Sequence, residues 1–247
     1  MHEISRDWAL GEKDIREALI AYQIFNAKQH IPTVLSALRK HKQGKLKIRH
    51  LRRLMIGIEN FHFIYTAITA SRSTGGMAQM YASYAIRIEM AENATELFNV
   101  IDEFIKKLKS KIPSLEEFKI NFKEFFYTDI FTKHKNLIKY ILQKYDCYIR
   151  RNDLIDYSKM TIEHLIPQSS SDKDNIFGLV GNLILVGADT NSESLRNKTY
   201  PEKKKILQAE NYPLDTILKS SNELTEEIIL KRTDHMAEVA YKSIWKM

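Results

Sequence analysis

From residue 15 to residue 145, apolar side chains return every three or four positions, and a chain of 247 residues with only 8 Gly and 5 Pro has little to interrupt them. Ile15, Leu19, Tyr22 and Phe25 fall on one helical stripe. So do Leu51, Leu54, Met55, Ile58 and Phe61, and then Met77, Met80, Tyr81, Tyr84, Ala85 and Ile88. Leu97, Ile101, Phe104, Ile105 and Leu108 follow, then Phe118, Phe122 and Phe125, then Leu137, Ile138, Ile141, Leu142 and Tyr145. A strand would alternate with a period of two, so this spacing predicts six or more amphipathic helices. The breaks fall at Gly44, across residues 71–76, and at Ile112-Pro113-Ser114, where Ser114 is placed to cap a helix with Glu116 and Glu117 in its first turn. Stripes of this kind are buried by packing helix on helix, so residues 1–149 read as a helical bundle whose aromatic and methionine positions are core.

The texture changes after about residue 150. Ile162 with Leu165-Ile166, and Leu183-Ile184-Leu185-Val186, are short apolar runs separated by the polar stretch 169–175. That pattern predicts two short strands, the first stopped by Pro167 and the second closed by Gly187. Residues 191–197 suit a short helix or turn, and Pro201 stands at a first helical position ahead of Glu202-Lys203-Lys204-Lys205-Ile206-Leu207. Thr225 then caps a long last helix carrying Ile228, Ile229, Met236, Val239, Ala240 and Ile244. The expected fold is mainly α: a multi-helix bundle over 1–149, then a strand-strand-helix module with a long C-terminal helix over 150–247.

Charge narrows the partners. Lys and Arg number 38 against 31 Asp and Glu, a formal +7, which suits a polyanion such as nucleic acid. Cations crowd residues 40–53, where Arg49 and Arg52 either track a phosphate backbone or form a solvated helix face. Lys106 to Lys111 read as the basic last turn of a helix. One cysteine, Cys147, excludes an intramolecular disulfide and a thiolate zinc site. Residues 1–8 lack the apolar stretch of a signal peptide, and no run approaches the ~20 apolar residues of a membrane span, so a cytoplasmic protein without a membrane partner is expected.

The chemistry concentrates in three short signals: Thr161-Ile162-Glu163-His164-Leu165-Ile166-Pro167-Gln168, Gly181-Asn182-Leu183-Ile184-Leu185, and Asn191 nine residues past Asn182. A carboxylate beside a histidine at the end of an apolar run supplies a metal ligand and a general base, the groups phosphodiester hydrolysis most needs. An isolated Glu-His pair is ordinarily a surface strand end; its occurrence with Pro167, Asn182 and Asn191 favours a nuclease site. One geometric condition attaches to it. Neighbouring residues of a strand point to opposite faces, so Glu163 and His164 can serve one site only where the strand ends or twists.

These signals resemble the HNH (ββα-metal) endonucleases, including the variety found in CRISPR effectors. With Asn197, Lys203-Lys204-Lys205 and the Thr225, Arg232 and Trp245 pattern, they resemble more closely the C-terminal nuclease domain of GmrSD-type, modification-dependent restriction proteins. Ile31-Pro32-Thr33-Val34-Leu35 and Ile58-Glu59-Asn60-Phe61-His62-Phe63 resemble the helices that precede that nuclease. The resemblance implies that residues 150–247 hold a ββα-metal module cleaving or nicking DNA in restriction or phage defence. It implies His164 as general base, Glu163 and Asn191 as ligands of one Mg²⁺ or Mn²⁺, and Asn182 as the catalytic-site residue that orients the His164 loop. Lys198, Lys203 and Lys204 are placed to bind DNA beside the site, or to form a solvated helix face. Asp189 is either an added ligand or a turn residue. A ParB-like nucleotide-hydrolysing domain or subunit, absent from this chain, is the expected N-terminal partner. The alternatives are an inactive DNA-binding module of the same fold and an RNA nuclease.

Overall fold

The computed structural model describes residues 10–70, 75–152, 155–167 and 175–247. The chain is mainly helical, with a two-strand antiparallel hairpin and a long C-terminal helix. It divides into two compact units, Met1–Ser114 with Trp245–Met247, and Leu115–Ile244.

The first unit is built from α1 (Lys13–Ile24), α2 (Ile31–Lys42), α3 (Ile48–His62), α4 (Gly75–Met90) and α5 (Ala94–Lys109), with α3 running on as a π-helical segment, Phe63–Ile68. The four periodic runs between residues 15 and 108 become α1, α3, α4 and α5, and their stripes are the buried faces. Leu51, Leu54, Met55, Ile58, Tyr81, Ile88, Leu97, Ile101 and Phe104 share one core. The turn between α2 and α3 needs a left-handed residue, which Gly44 supplies at φ 74°. Pro32 stands in the first turn of α2, where a missing N–H costs nothing. Asn93 caps α5 by accepting from the Thr95 and Glu96 N–H groups, while Lys106, Lys107 and Lys109 occupy its last turn and complement its dipole.

The second unit holds α6 (Leu115–Phe122), α7 (Lys135–Arg150), β1 (Met160–His164), β2 (Leu183–Gly187), α8 (Tyr200–Ala209), α9 (Thr216–Ser220) and α10 (Glu226–Val239). Its core gathers Leu165, Leu179, Ile184, Val186, Leu195, Tyr200, Leu207, Leu214, Leu218 and Ile229. Caps start its helices where the sequence offers them. The Thr199 N–H donates to the Glu202 carboxylate at 2.8 Å, Asp215 accepts from Leu218 N–H, and Thr225 accepts from Ile228 N–H ahead of Glu226 and Glu227. β1 pairs antiparallel with β2 in a register that sets Met160 against Gly187 and His164 against Leu183. The ladder stops at His164, three residues before Pro167. Gln168 and the loop 169–174 lie outside the described residues.

The compact units change over at 114/115, whereas the sequence suggested 149/150. Periodicity alone could not assign α6 and α7 to one core or the other. In the second unit α7 packs on β2, α6 packs on α10, and Phe126 bridges to Leu179, so these two helices belong with the hairpin's unit instead of extending the bundle.

Candidate active site

The hairpin brings Glu163 and His164 to the end of β1, and both side chains are enclosed, at 7% and 8% exposure. Strand alternation sends them to different partners. Glu163 Oε1 accepts from Lys203 Nζ of α8 at 2.5 Å, while the His164 ring turns to the α6–α7 connection, where Nε2 lies 2.9 Å from the Tyr127 carbonyl oxygen. The Tyr127 ring lies alongside at 5.7 Å between centroids. A carbonyl only accepts, so Nε2 carries the proton of the neutral ring and Nδ1 is its basic nitrogen. Burial lowers the His164 pKa from the usual imidazole value, opposed by the Tyr127 carbonyl and by Asp129, and helped by Lys203. The direction of that shift favours the uncharged ring at neutral pH.

Asn182 is fully buried, and its amide is committed to backbone. Its Oδ1 accepts from Ile166 N–H at 2.8 Å, and its Nδ2 donates to the carbonyls of Ile166 at 3.0 Å and Phe177 at 2.7 Å. The residue thus fastens the turn that follows His164. It is itself held from behind by α10. Arg232, 2% exposed, donates from one nitrogen to the carbonyls of Gly181 at 2.8 Å and Leu183 at 3.1 Å, and its Nε reaches Asp215 Oδ2 at 2.6 Å. The approach is close enough to require glycine at 181, since a Cβ there would stand 2.2 Å from the Ile229 carbonyl oxygen and 2.4 Å from Thr233 Oγ1.

Burial raises the Glu163 pKa, against the opposing pull of Lys203 and the His164 N–H. Among the described residues no group of three or more His, Cys, Asp or Glu is gathered to hold an ion. The carboxylate at the end of β1 is that of Glu163, and a carboxylate oxygen is a hard donor of the kind Mg²⁺ and Mn²⁺ take. Asn191 is the second residue of a π-helical segment, Thr190–Leu195, separated from the end of β2 by two residues, but its side chain lies outside the described residues.

Of the cations read from the sequence as DNA contacts, Lys203 is placed otherwise: it is 1% exposed, with its ammonium on Glu163 and on the His164 carbonyl oxygen at 2.6 Å. Its spacing from Tyr200 and Leu207, which share the buried stripe of α8, carried that information. Lys204 donates to the carbonyls of Lys219 at 2.6 Å and Ser221 at 2.8 Å, and so closes the end of α9. Lys198 is exposed in the turn before α8. Arg49 and Arg52 are exposed in the first unit, Arg49 donating to His50 and Arg52 pairing with Asp14. Tyr127 had no signal in the sequence, because any residue can offer a carbonyl.

A family model described as GmrSD restriction endonucleases, C-terminal domain, matches residues 112–239, more than half of the chain. The match begins just ahead of α6 and ends with α10, so it coincides with the second compact unit. No curated protein matches the chain.

Proposed function

The chain belongs to the GmrSD restriction endonuclease C-terminal domain family, and from that membership we propose that its second unit is an HNH nuclease that hydrolyses DNA phosphodiester bonds. The observation that supports the reading is His164: a buried imidazole whose Nε2 lies on the Tyr127 carbonyl oxygen and whose pKa burial lowers. In this reading Nδ1 takes the proton of the water that attacks phosphorus. Asn182 keeps the 165–166 turn, and with it the His164 main chain, in register with β2. Glu163 and Asn191 would hold Mg²⁺ or Mn²⁺, which when bound polarises the phosphate and steadies the departing oxyanion. Lys198 and Arg49 are exposed cations of the kind that contact phosphate, as is Arg52 where DNA displaces Asp14 from it. The setting is restriction or phage defence, with a ParB-like nucleotide-hydrolysing domain or subunit as partner. No helix among the described residues is long and apolar enough to cross a membrane.

Plasmid cleavage with Mg²⁺, with Mn²⁺ and with EDTA, wild type beside His164→Ala, tests this. Cutting that requires metal and is lost in His164→Ala is the expected result. Metal-dependent cutting that survives the substitution would remove His164 as the base. One observation favours a second reading, a module that binds DNA without cutting: the Glu163 carboxylate is already engaged by Lys203. On that reading the chain binds DNA with strong salt dependence and cuts under none of the metal conditions.

A further inference from the structure

Lys203 is a charge in an apolar place. It sits on the stripe of α8 that also buries Tyr200 and Leu207, and its side chain is 1% exposed. Enclosing an ammonium and a carboxylate costs several kcal/mol in desolvation per ion, and a well-packed apolar pair often serves stability as well or better. Core stability is therefore a poor account of a cation here. Its geometry supplies a better one. The ammonium donates at 2.5 Å to the side chain of Glu163 and at 2.6 Å to the main-chain oxygen of His164, two consecutive residues whose side chains leave β1 on opposite sides. The His164 ring is held from the other side by Tyr127.

We infer that Lys203 is a positioning residue: by tying the Glu163 carboxylate and the His164 peptide to α8, it sets how Glu163 meets a divalent cation and how firmly the base stays in place. The inference rests on the nuclease reading above. Two roles for Lys203 predict opposite effects on metal binding. If its charge were all that mattered, removing a cation from beside Glu163 would tighten the hold on a second cation. If it positions Glu163, removing it weakens that hold.

The test is Mn²⁺ binding by electron paramagnetic resonance on the full chain, with thermal unfolding and cleavage kinetics alongside, for wild type, Lys203→Met and Lys203→Arg. Lys203→Met is expected to bind Mn²⁺ about 10-fold more weakly and to lose about 100-fold in kcat at little-changed KM, as orienting partners of metal ligands do. Lys203→Arg, which keeps the charge in a different shape, falls between. Mn²⁺ bound as tightly as, or more tightly than, in wild type by a folded Lys203→Met overturns the inference. Should Lys203→Met fail to fold, Lys203→Arg decides: weakened Mn²⁺ binding supports positioning, and wild-type binding with wild-type kcat refutes it. A wild-type chain that neither binds Mn²⁺ nor cuts would remove the nuclease reading together with this inference. A wild type that does both, with variants equal to it, removes the inference alone.

Discussion

His30 and His62 are enclosed in the first unit, at 5% and 1% exposure, and burial holds their pKa values down, to about 4 and about 3. The His62 nitrogens are bonded to Thr66 Oγ1 at 2.8 Å and Tyr81 Oη at 2.9 Å, whereas His30 Nδ1 is buried without a hydrogen-bond partner among the described residues. An unfolded chain takes up protons at these positions below pH ~6.5 and the folded one does not, so their contribution is complete above ~6.5 and drains away as the pH falls toward 4. For His30 the loss is on the order of 3 kcal/mol across that window. Thermal unfolding from pH 7.5 to 4.5 should show a falling midpoint, less steep in His30→Phe; an equal slope in the two proteins would refute the assignment. Residues differ in how openly the sequence shows their work. Glu163, His164 and Asn182 stand out because rare chemical types recur at telling spacings. Lys203 looks like one of three surface lysines until α8 is folded, and Tyr127 acts through a main-chain atom that every residue has.

Among the elements, α10 is the one that braces the hairpin. Arg232 spends its guanidinium on the carbonyls of the 180–183 segment and on Asp215, which at the same time caps α9 through Leu218 N–H at 3.0 Å. The pair is almost fully enclosed, with side chains 2% and 4% exposed. Burial pushes the Asp215 pKa up, but Arg232 and the cap outweigh it, and the net shift is downward. Asp215→Ala would leave the guanidinium buried without its counter-charge, a change that costs about 3–5 kcal/mol. The midpoint of urea unfolding reads that loss directly, and a midpoint unmoved by the substitution would show that Arg232 is compensated elsewhere. Helix positions were legible because a 3.6-residue apolar period is a local property. The end of β1 was less so. Pro167 marks the latest point at which the strand can stop, but Asn182 stops it earlier by taking the Ile166 backbone into side-chain hydrogen bonds.

For the molecule as a whole, the units are not simply consecutive, since Trp245–Met247 belong with residues 1–114. Trp245 is 1% exposed and stacks on Phe63 at 3.7 Å between centroids, and Asn60 Nδ2 donates to the Lys246 carbonyl at 3.0 Å. The C-terminus is therefore a part of the first core. Trp245→Ala should cost about 3–5 kcal/mol, the range for emptying a large aromatic site. Calorimetry would register it as a lowered transition, and an unchanged trace would mean that the stacking on Phe63 contributes nothing to stability.

Taken alone, the order of residues settles the helical class and the strand-strand-helix texture past residue 150, because each depends on neighbours within a turn or two of chain. Three matters belong to the tertiary structure: that α6 and α7 join the hairpin's unit, that Lys203 is buried against Glu163 and His164, and that the imidazole is oriented by the carbonyl of Tyr127, 37 residues away. All three are contacts between segments far apart in sequence, decided by which apolar faces find each other and by the need of every buried charge and polar group for a partner.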